Sequence, residues 1–211
     1  MTEPCARSFY PVFLDLSGRA CLVVGAGPVA ARKAQGLLEC AGLVSVIAPA
    51  VSEEMAVLAP QLQSLSRRRF HHGDTAGFQL VITATSDNEV NGAVAAEADA
   101  AGIWVNSADD PARCSFILPA IHRDRALTVA VSTSGQSPAL ASWLRTRLAA
   151  QCDGMGTMLT LLGEARRQLQ RDGISTEGMD WTRLLDGPLF AALASNDADN
   201  VAAILTEAVD E

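Results

Sequence analysis

The chain has 211 residues, 49% of them hydrophobic, which is enough to bury a core without metal or disulfide staples. A formal charge of −8 argues against a nucleic-acid partner, and an anionic substrate would need a local cluster of arginines to overcome the overall field. The five scattered cysteines form no C-x-x-C pair, which suits a reducing cytoplasm, and Glu3 with no long apolar run predicts neither a signal peptide nor a membrane span.

From about residue 19 to 107, short β-type runs alternate with helical stretches. Strands are expected at 19–24, 43–48, 66–71, 79–84 and 102–106, with helices at 28–40 and 87–100 and a weaker helical pattern at 51–62. Near-continuous apolar strands alternating with helices predict an α/β fold, a Rossmann-like parallel sheet covered on both faces. The first strand runs into "LVVGAGPVAARK" (22–33), a glycine turn opening a helix with Pro28 at its first position. That arrangement suits a pyrophosphate, and Ala30 in the third glycine's place still allows close packing of helix on sheet. The alternative is a tight strand–helix turn that holds nothing. After the second strand come Val46-Ile47-Ala48-Pro49, with no carboxylate before Glu53 and no arginine to receive a 2′-phosphate. Residue chemistry therefore leaves NAD and NADP open and leans to NAD.

Common dehydrogenase and hydrolase designs are excluded. The single tyrosine, Tyr10, has Leu14 four residues on, so no Tyr-x-x-x-Lys pair exists. His71, His72 and His122 lack a cysteine at zinc-ligand spacing, so no metal site is expected, and the first two read as a solvated strand end. No G-x-S-x-G elbow occurs. What remains is "VNSADDPARCSF" (105–116), at the carboxyl edge of the sheet where open α/β folds place substrates. Asp109 and Asp110 are adjacent carboxylates, and their repulsion would raise one pKa toward that of a general base. The alternative is an Asp-Asp-Pro turn that only ends a strand.

Beyond residue 110, "CSFILPA" (114–120) and "ALTVAVS" (126–132) read as two strands joined through His122-Arg123-Asp124-Arg125. Ser132-Thr133-Ser134-Gly135-Gln136-Ser137 then opens an amphipathic helix at 138–150, capped by Ser137. Its hydroxyls and helix-start N–H groups suit a carboxylate, or else simply cap the helix. Arg113, Arg123, Arg125, Arg145 and Arg147 offer a cationic rim. From 154 the chain reads helical, broken by a loop at 171–180, and the Met155, Met158, Leu159, Leu162 stripe reads as core packing. The expected organisation is a nucleotide-binding domain over 1–112, a short middle segment over 113–150 and a helical domain over 151–211.

Four collinear stretches resemble the precorrin-2 dehydrogenase module of the siroheme synthase family: "YPVFLDLSGRACLVVGAGPVAARKAQGLL" (10–38), "ITATSDNEVN" (82–91), "VNSADDPARCSFILPA" (105–120) and "LTVAVSTSGQSPALASWLRTRL" (127–148). The resemblance covers roughly residues 9–150. It implies NAD-dependent oxidation of precorrin-2 to sirohydrochlorin, on the way to sirohaem, and some members of the family also insert iron into the product. It implies a catalytic role for Asp109 and cofactor contacts at Gly25, Gly27, Pro28, Val29, Ala48, Pro49 and Thr85. Substrate contacts are expected at Asn106, Arg113, Ser132, Thr133, Ser134 and Gln136. A serine that is phosphorylated in some relatives falls on Thr133. The middle segment joins two subunits in the family, which implies a homodimer. A rival of another class, an NAD(H)-sensing or tetrapyrrole-delivery protein, would need the glycine turn and not Asp109.

Overall fold

A computed structural model describes residues 7–108, 110–176 and 179–208. The chain divides into two compact units, one ending at Leu118 and one beginning at Pro119.

The first unit is built on five parallel strands, β1 (Ala20–Val24), β2 (Leu43–Ile47), β3 (Ser64–Ser66), β4 (Leu80–Thr83) and β5 (Trp104–Ser107), in the order β3-β2-β1-β4-β5. This is the expected Rossmann-like α/β fold. Successive side chains of β1 point to opposite faces, so its unbroken apolar run serves two cores. Cys21 and Val23 pack with Ala30, Ala31, Ala34 and Leu37 of α1 (Pro28–Leu38) and with Met55 and Leu58 of α2 (Glu53–Leu58). Leu22 and Val24 face the other way, onto Val94, Ala95 and Ala98 of α3 (Asn88–Ala100). The order reverses at β1, where β2 and β4 lie on opposite sides, and such a switch point opens a crevice at the carboxyl ends of the strands.

The third strand departs from expectation. It is Ser64–Ser66, and residues 67–71 leave the sheet instead of extending it. The basic run Arg67-Arg68-Arg69 carries too much charge to cover a core. Arg68 instead turns back to grip Asp74, its Nη1 at 2.6 Å from Oδ2 and its Nη2 at 2.8 Å from Oδ1. His71 and His72 therefore lie in the following loop and not at a strand end, and His72 Nδ1 sits 2.6 Å from Glu97 of α3.

In the second unit, β6 (Ala120–Asp124) and β7 (Leu127–Val131) pair antiparallel, followed by α4 (Pro138–Gln151), α5 (Met155–Arg171), α6 (Trp181–Leu185), α7 (Pro188–Ala194) and α8 (Ala198–Glu207). The first hairpin strand was expected at 114–120, but it lies at 120–124. The charged His122-Arg123-Asp124 is thus strand and not connection, and the turn is made by Arg125, whose φ is 53°. A two-residue turn needs that left-handed backbone, which the apolar pattern alone does not encode. Ser137 caps α4 as expected, accepting the Leu140 N–H at 3.2 Å. The remaining core is helical: Leu169, Leu189, Ala192, Leu193, Val201 and Leu205 are buried together, with Met158 and Leu162 against them. Leu159 of the same stripe is exposed. Asp124 Oδ2 accepts the Gly156 N–H at 2.8 Å, which ties the start of α5 to the hairpin.

Candidate functional site

The carboxyl ends of β1, β2 and β4 open into a cleft of about 600 Å³ lined by Gly25, Gly27, Ala48, Pro49 and Thr85 among others. Five of the seven expected cofactor residues thus meet in one place. Pro28 and Val29 do not line it: Pro28 begins α1, and Val29 is half exposed on that helix.

Gly25 and Gly27 differ in what they accommodate. Gly25 has φ 113°, and a Cβ there would meet the Ala84 carbonyl of the turn after β4. Its glycine is therefore required by the protein itself. Gly27 has an ordinary extended backbone (φ −78°), and a Cβ there would meet nothing within 4 Å. No protein neighbour requires Gly27, and the space left over the first turn of α1 is where backbone can approach a pyrophosphate. No side chain caps that helix. The residues present fit a dinucleotide.

Two further turns shape the cleft. Ser52 donates its N–H to the Ala26 carbonyl at 2.9 Å and caps α2 with its hydroxyl, so the β2–α2 turn is fastened to the glycine turn. On the other side, Asn91 of α3 holds the β4–α3 turn. Its Oδ1 accepts from the hydroxyls of Thr83 and Thr85 and from the Thr85 N–H, and its Nδ2 donates to the Thr85 carbonyl at 3.0 Å. Asn91 is buried, and it fixes the backbone at Thr85 and Ser86 that walls the cleft. Sequence reasoning missed Asn91 as a positioning residue, although two threonines ending a strand ahead of an asparagine in the next helix's first turns were a signal. It missed Arg69 as well. Arg69 and Phe70 line the cleft from the segment after β3, so a cation borders it although none follows β2.

Beyond the end of β5 lies a smaller polar cavity of about 170 Å³, lined by Asn88, Asn91, Ser107, Asp110 and Arg113. Ser107 is buried, and its hydroxyl has no hydrogen-bond partner among the described residues. Asp110 Oδ1 accepts the Ala112 N–H at 3.0 Å, capping a short 3₁₀ turn at Pro111–Arg113, and its Oδ2 pairs with Arg113 Nε at 3.2 Å. Arg113 is therefore already partnered, and it also lies close over Gly92 of α3. Asp109, the expected catalytic residue, lies outside the described residues. Asn106 is buried and directs its amide inward, donating to the Phe116 carbonyl at 3.0 Å, so it shapes the loop that follows β5.

Two buried thiols of the first unit are held in the protonated form. Burial pushes Cys21 up to about 11, and burial likewise raises Cys114, whose Sγ accepts the Ser107 N–H at 3.2 Å.

The remaining expected substrate residues belong to the second unit. The loop between β7 and α4 is closed on itself: Thr133 Oγ1 accepts the Ser137 N–H at 3.0 Å and donates to its carbonyl at 3.1 Å, and Ser132 Oγ accepts the Ser134 N–H at 3.0 Å. Ser132, Ser134 and Gln136 are exposed. Of the arginine rim, Arg113 belongs to the first unit and Arg123, Arg125, Arg145 and Arg147 to the second, where Arg147 stacks over Trp143 at 5.0 Å.

Comparison with known proteins agrees with this geometry. Residues 12–120 match the family described as "Putative NAD(P)-binding", and residues 124–151 match the one described as sirohaem biosynthesis protein central. The siroheme synthase of Tolumonas auensis is 39% identical over 192 residues, covering 90% of this chain and 41% of that protein. That of Nitrosomonas europaea is 39% identical over 211 residues, covering 96% of this chain and 44% of that protein. The chain thus spans less than half the length of these relatives. A solved structure of SirC, a precorrin-2 dehydrogenase, superposes with a TM-score of 0.67 at 25% identity, covering 96% of this chain and 98% of that one. With more than half of its residues matched by one family profile, the chain belongs to the NAD(P)-binding family and is a homologue of the siroheme synthases.

Proposed function

We propose that the chain oxidises precorrin-2 to sirohydrochlorin with NAD, in the formation of sirohaem. The observation that carries this reading is the likeness to SirC over nearly the whole of both chains, with the dinucleotide cleft at the same fold's switch point. Two hydrogens leave the substrate, one as a hydride and one as a proton. The bound dinucleotide supplies the hydride acceptor. The chain's own residues do the rest. Gly25, Gly27, Ala48, Pro49 and Thr85 hold the dinucleotide, with Pro28 and Val29 starting the helix beneath it, and Asn91 keeps the Thr85 turn in place.

Asp109 takes the proton. The engagement of its neighbour supports this choice, because the Asp110 carboxylate is committed to a cap and to Arg113. The polar cavity at Ser107 and Arg113 suits a substrate carboxylate, and Asn106 orders the loop that follows β5. In the second unit, Ser132, Thr133, Ser134 and Gln136 offer a further set of polar groups to the substrate's many carboxylates. The segment 113–150 pairs two copies into a homodimer, while 151–211 forms the helical domain. The free thiols of Cys21, Cys114 and Cys152 support a reducing, cytoplasmic setting.

The test is anaerobic incubation of the chain with precorrin-2 and NAD, following NADH and sirohydrochlorin together. Asp109→Asn is expected to bind NAD as the wild type does and to lose at least about tenfold in turnover. Undiminished turnover would remove Asp109 from the mechanism. Tight NADH binding with no oxidation of precorrin-2 by the wild type would favour a sensor or delivery protein.

A further inference from the structure

We propose that Arg69 makes the adenosine end of the cleft a receptor for a 2′-phosphate, so that the chain takes NADP as well as NAD. The inference rests on the reading of the cleft as a dinucleotide site. Strand β3 is the parallel neighbour of β2, with Ser66 in register with Ile47, and the Ala48 N–H donates to the Ser66 carbonyl at 3.1 Å. The residues after Ser66 therefore leave the sheet beside the turn at Ala48–Ser52. That turn is where the adenosine ribose falls when the pyrophosphate lies over the glycine turn. Arg69 lines the cleft there with Pro49, Ala50 and Phe70.

The neighbouring side chains leave this arginine available. Arg68 spends its guanidinium fork on both oxygens of Asp74 and also donates to the Arg69 carbonyl at 3.0 Å, which fixes the backbone from which Arg69 projects. The Arg69 side chain is exposed and has no acidic partner among the described residues. The carboxylate that lines the cleft, Asp87, follows β4, and its Oδ1 accepts the Glu89 and Val90 N–H groups as the cap of α3. Glu53 and Glu54 begin α2 and do not line the cleft. An acid after the second strand normally rejects NADP by repelling its extra phosphate, and here Ala48, Pro49, Ala50 and Val51 occupy that stretch. With the repelling charge missing and a planar cation present, a 2′-phosphate gains charge-assisted hydrogen bonds.

Calorimetric titration of the full chain with NAD and NADP tests this without any turnover. NADP is expected to bind at least as tightly as NAD. Arg69→Ala should weaken NADP about tenfold or more, the scale of a lost charged hydrogen bond, and NAD by less than about threefold. Arg69→Lys should fall between, and added salt should weaken NADP more than NAD. Equal losses for both dinucleotides in Arg69→Ala, or wild-type NADP binding more than about tenfold weaker than NAD, would overturn the role of Arg69 and leave the NAD site standing. If the wild type binds neither dinucleotide, the cofactor reading falls together with this one.

Discussion

Gly25 and Gly27 stand two residues apart and lack a side chain for different reasons, which makes them separable by mutation. Gly25→Ala forces a Cβ against the Ala84 carbonyl at a backbone angle that side chains rarely adopt. The expected cost is about 1–3 kcal/mol, seen as a fall of several degrees in Tm. Gly27→Ala meets open space on an ordinary backbone, so Tm should hold within about two degrees while NAD affinity falls about tenfold or more. A Gly27→Ala variant that binds NAD as tightly as the wild type would mean that the space over α1 is not the cofactor's. Both glycines were legible in the sequence as a turn, because strand, glycines and Pro28 follow one another along the chain. That the two glycines play different parts was not legible, because the partner that makes Gly25 obligatory, Ala84, lies 59 residues away.

At the scale of elements, the connection between β3 and β4 is held by two half-buried carboxylates, Asp74 within it and Glu97 of α3. Burial pushes the Glu97 carboxyl up, but hydrogen bonds from the Thr75 hydroxyl and the Gly73 and Thr75 N–H groups outweigh it, with His72 adding to them. The net result holds Glu97 below the usual carboxylate range. Arg68 does the same for Asp74, against a smaller opposing effect of burial. Groups lowered on folding contribute stability that is fully present above their unfolded pKa and lost as pH falls through the folded one. The decline should begin below about pH 4.5, the ordinary value for Glu97, and be shallower in Glu97→Gln when unfolding is followed by denaturant at stepped pH. Identical pH profiles for the two proteins would show that Glu97 does not carry the effect. This connection was also where the elements were least legible. Apolar periodicity gave β1, β2, β4 and β5 to within a residue or two, because both faces of those strands are buried. It misplaced β3 by two residues and ran it on to 71, and it put the first hairpin strand six residues early. Those short edge strands bury little, and their limits are set by tertiary partners such as Asp74 and by the turn at Arg125.

At the scale of the molecule, two units of unlike construction share one chain, a doubly wound sheet and a hairpin followed by helices. The second unit leaves Ile121, Leu140 and Trp143 exposed on β6 and α4, more apolar surface than an isolated hairpin and helix carry comfortably. The homodimer proposed above is testable at these residues. Sedimentation equilibrium should give a dimer, and Trp143→Glu should shift it to monomer without unfolding the sheet domain; a monomeric wild type would remove the pairing. The order of motifs along the chain made the family resemblance legible and with it five residues of the larger cleft, while Arg69 in that cleft and the pairing of Asn91 with Ser107 in the smaller cavity were not, since distant segments bring them there. Among the described residues, no helix is long and apolar enough to cross a membrane. The central claim, that the dinucleotide cleft serves oxidation of precorrin-2, is tested most directly by the ratio of products in one anaerobic reaction with limiting precorrin-2. One NADH formed for each sirohydrochlorin is the result the mechanism predicts. Sirohydrochlorin appearing without NADH, or no consumption of precorrin-2 by a chain that binds NAD, would contradict it.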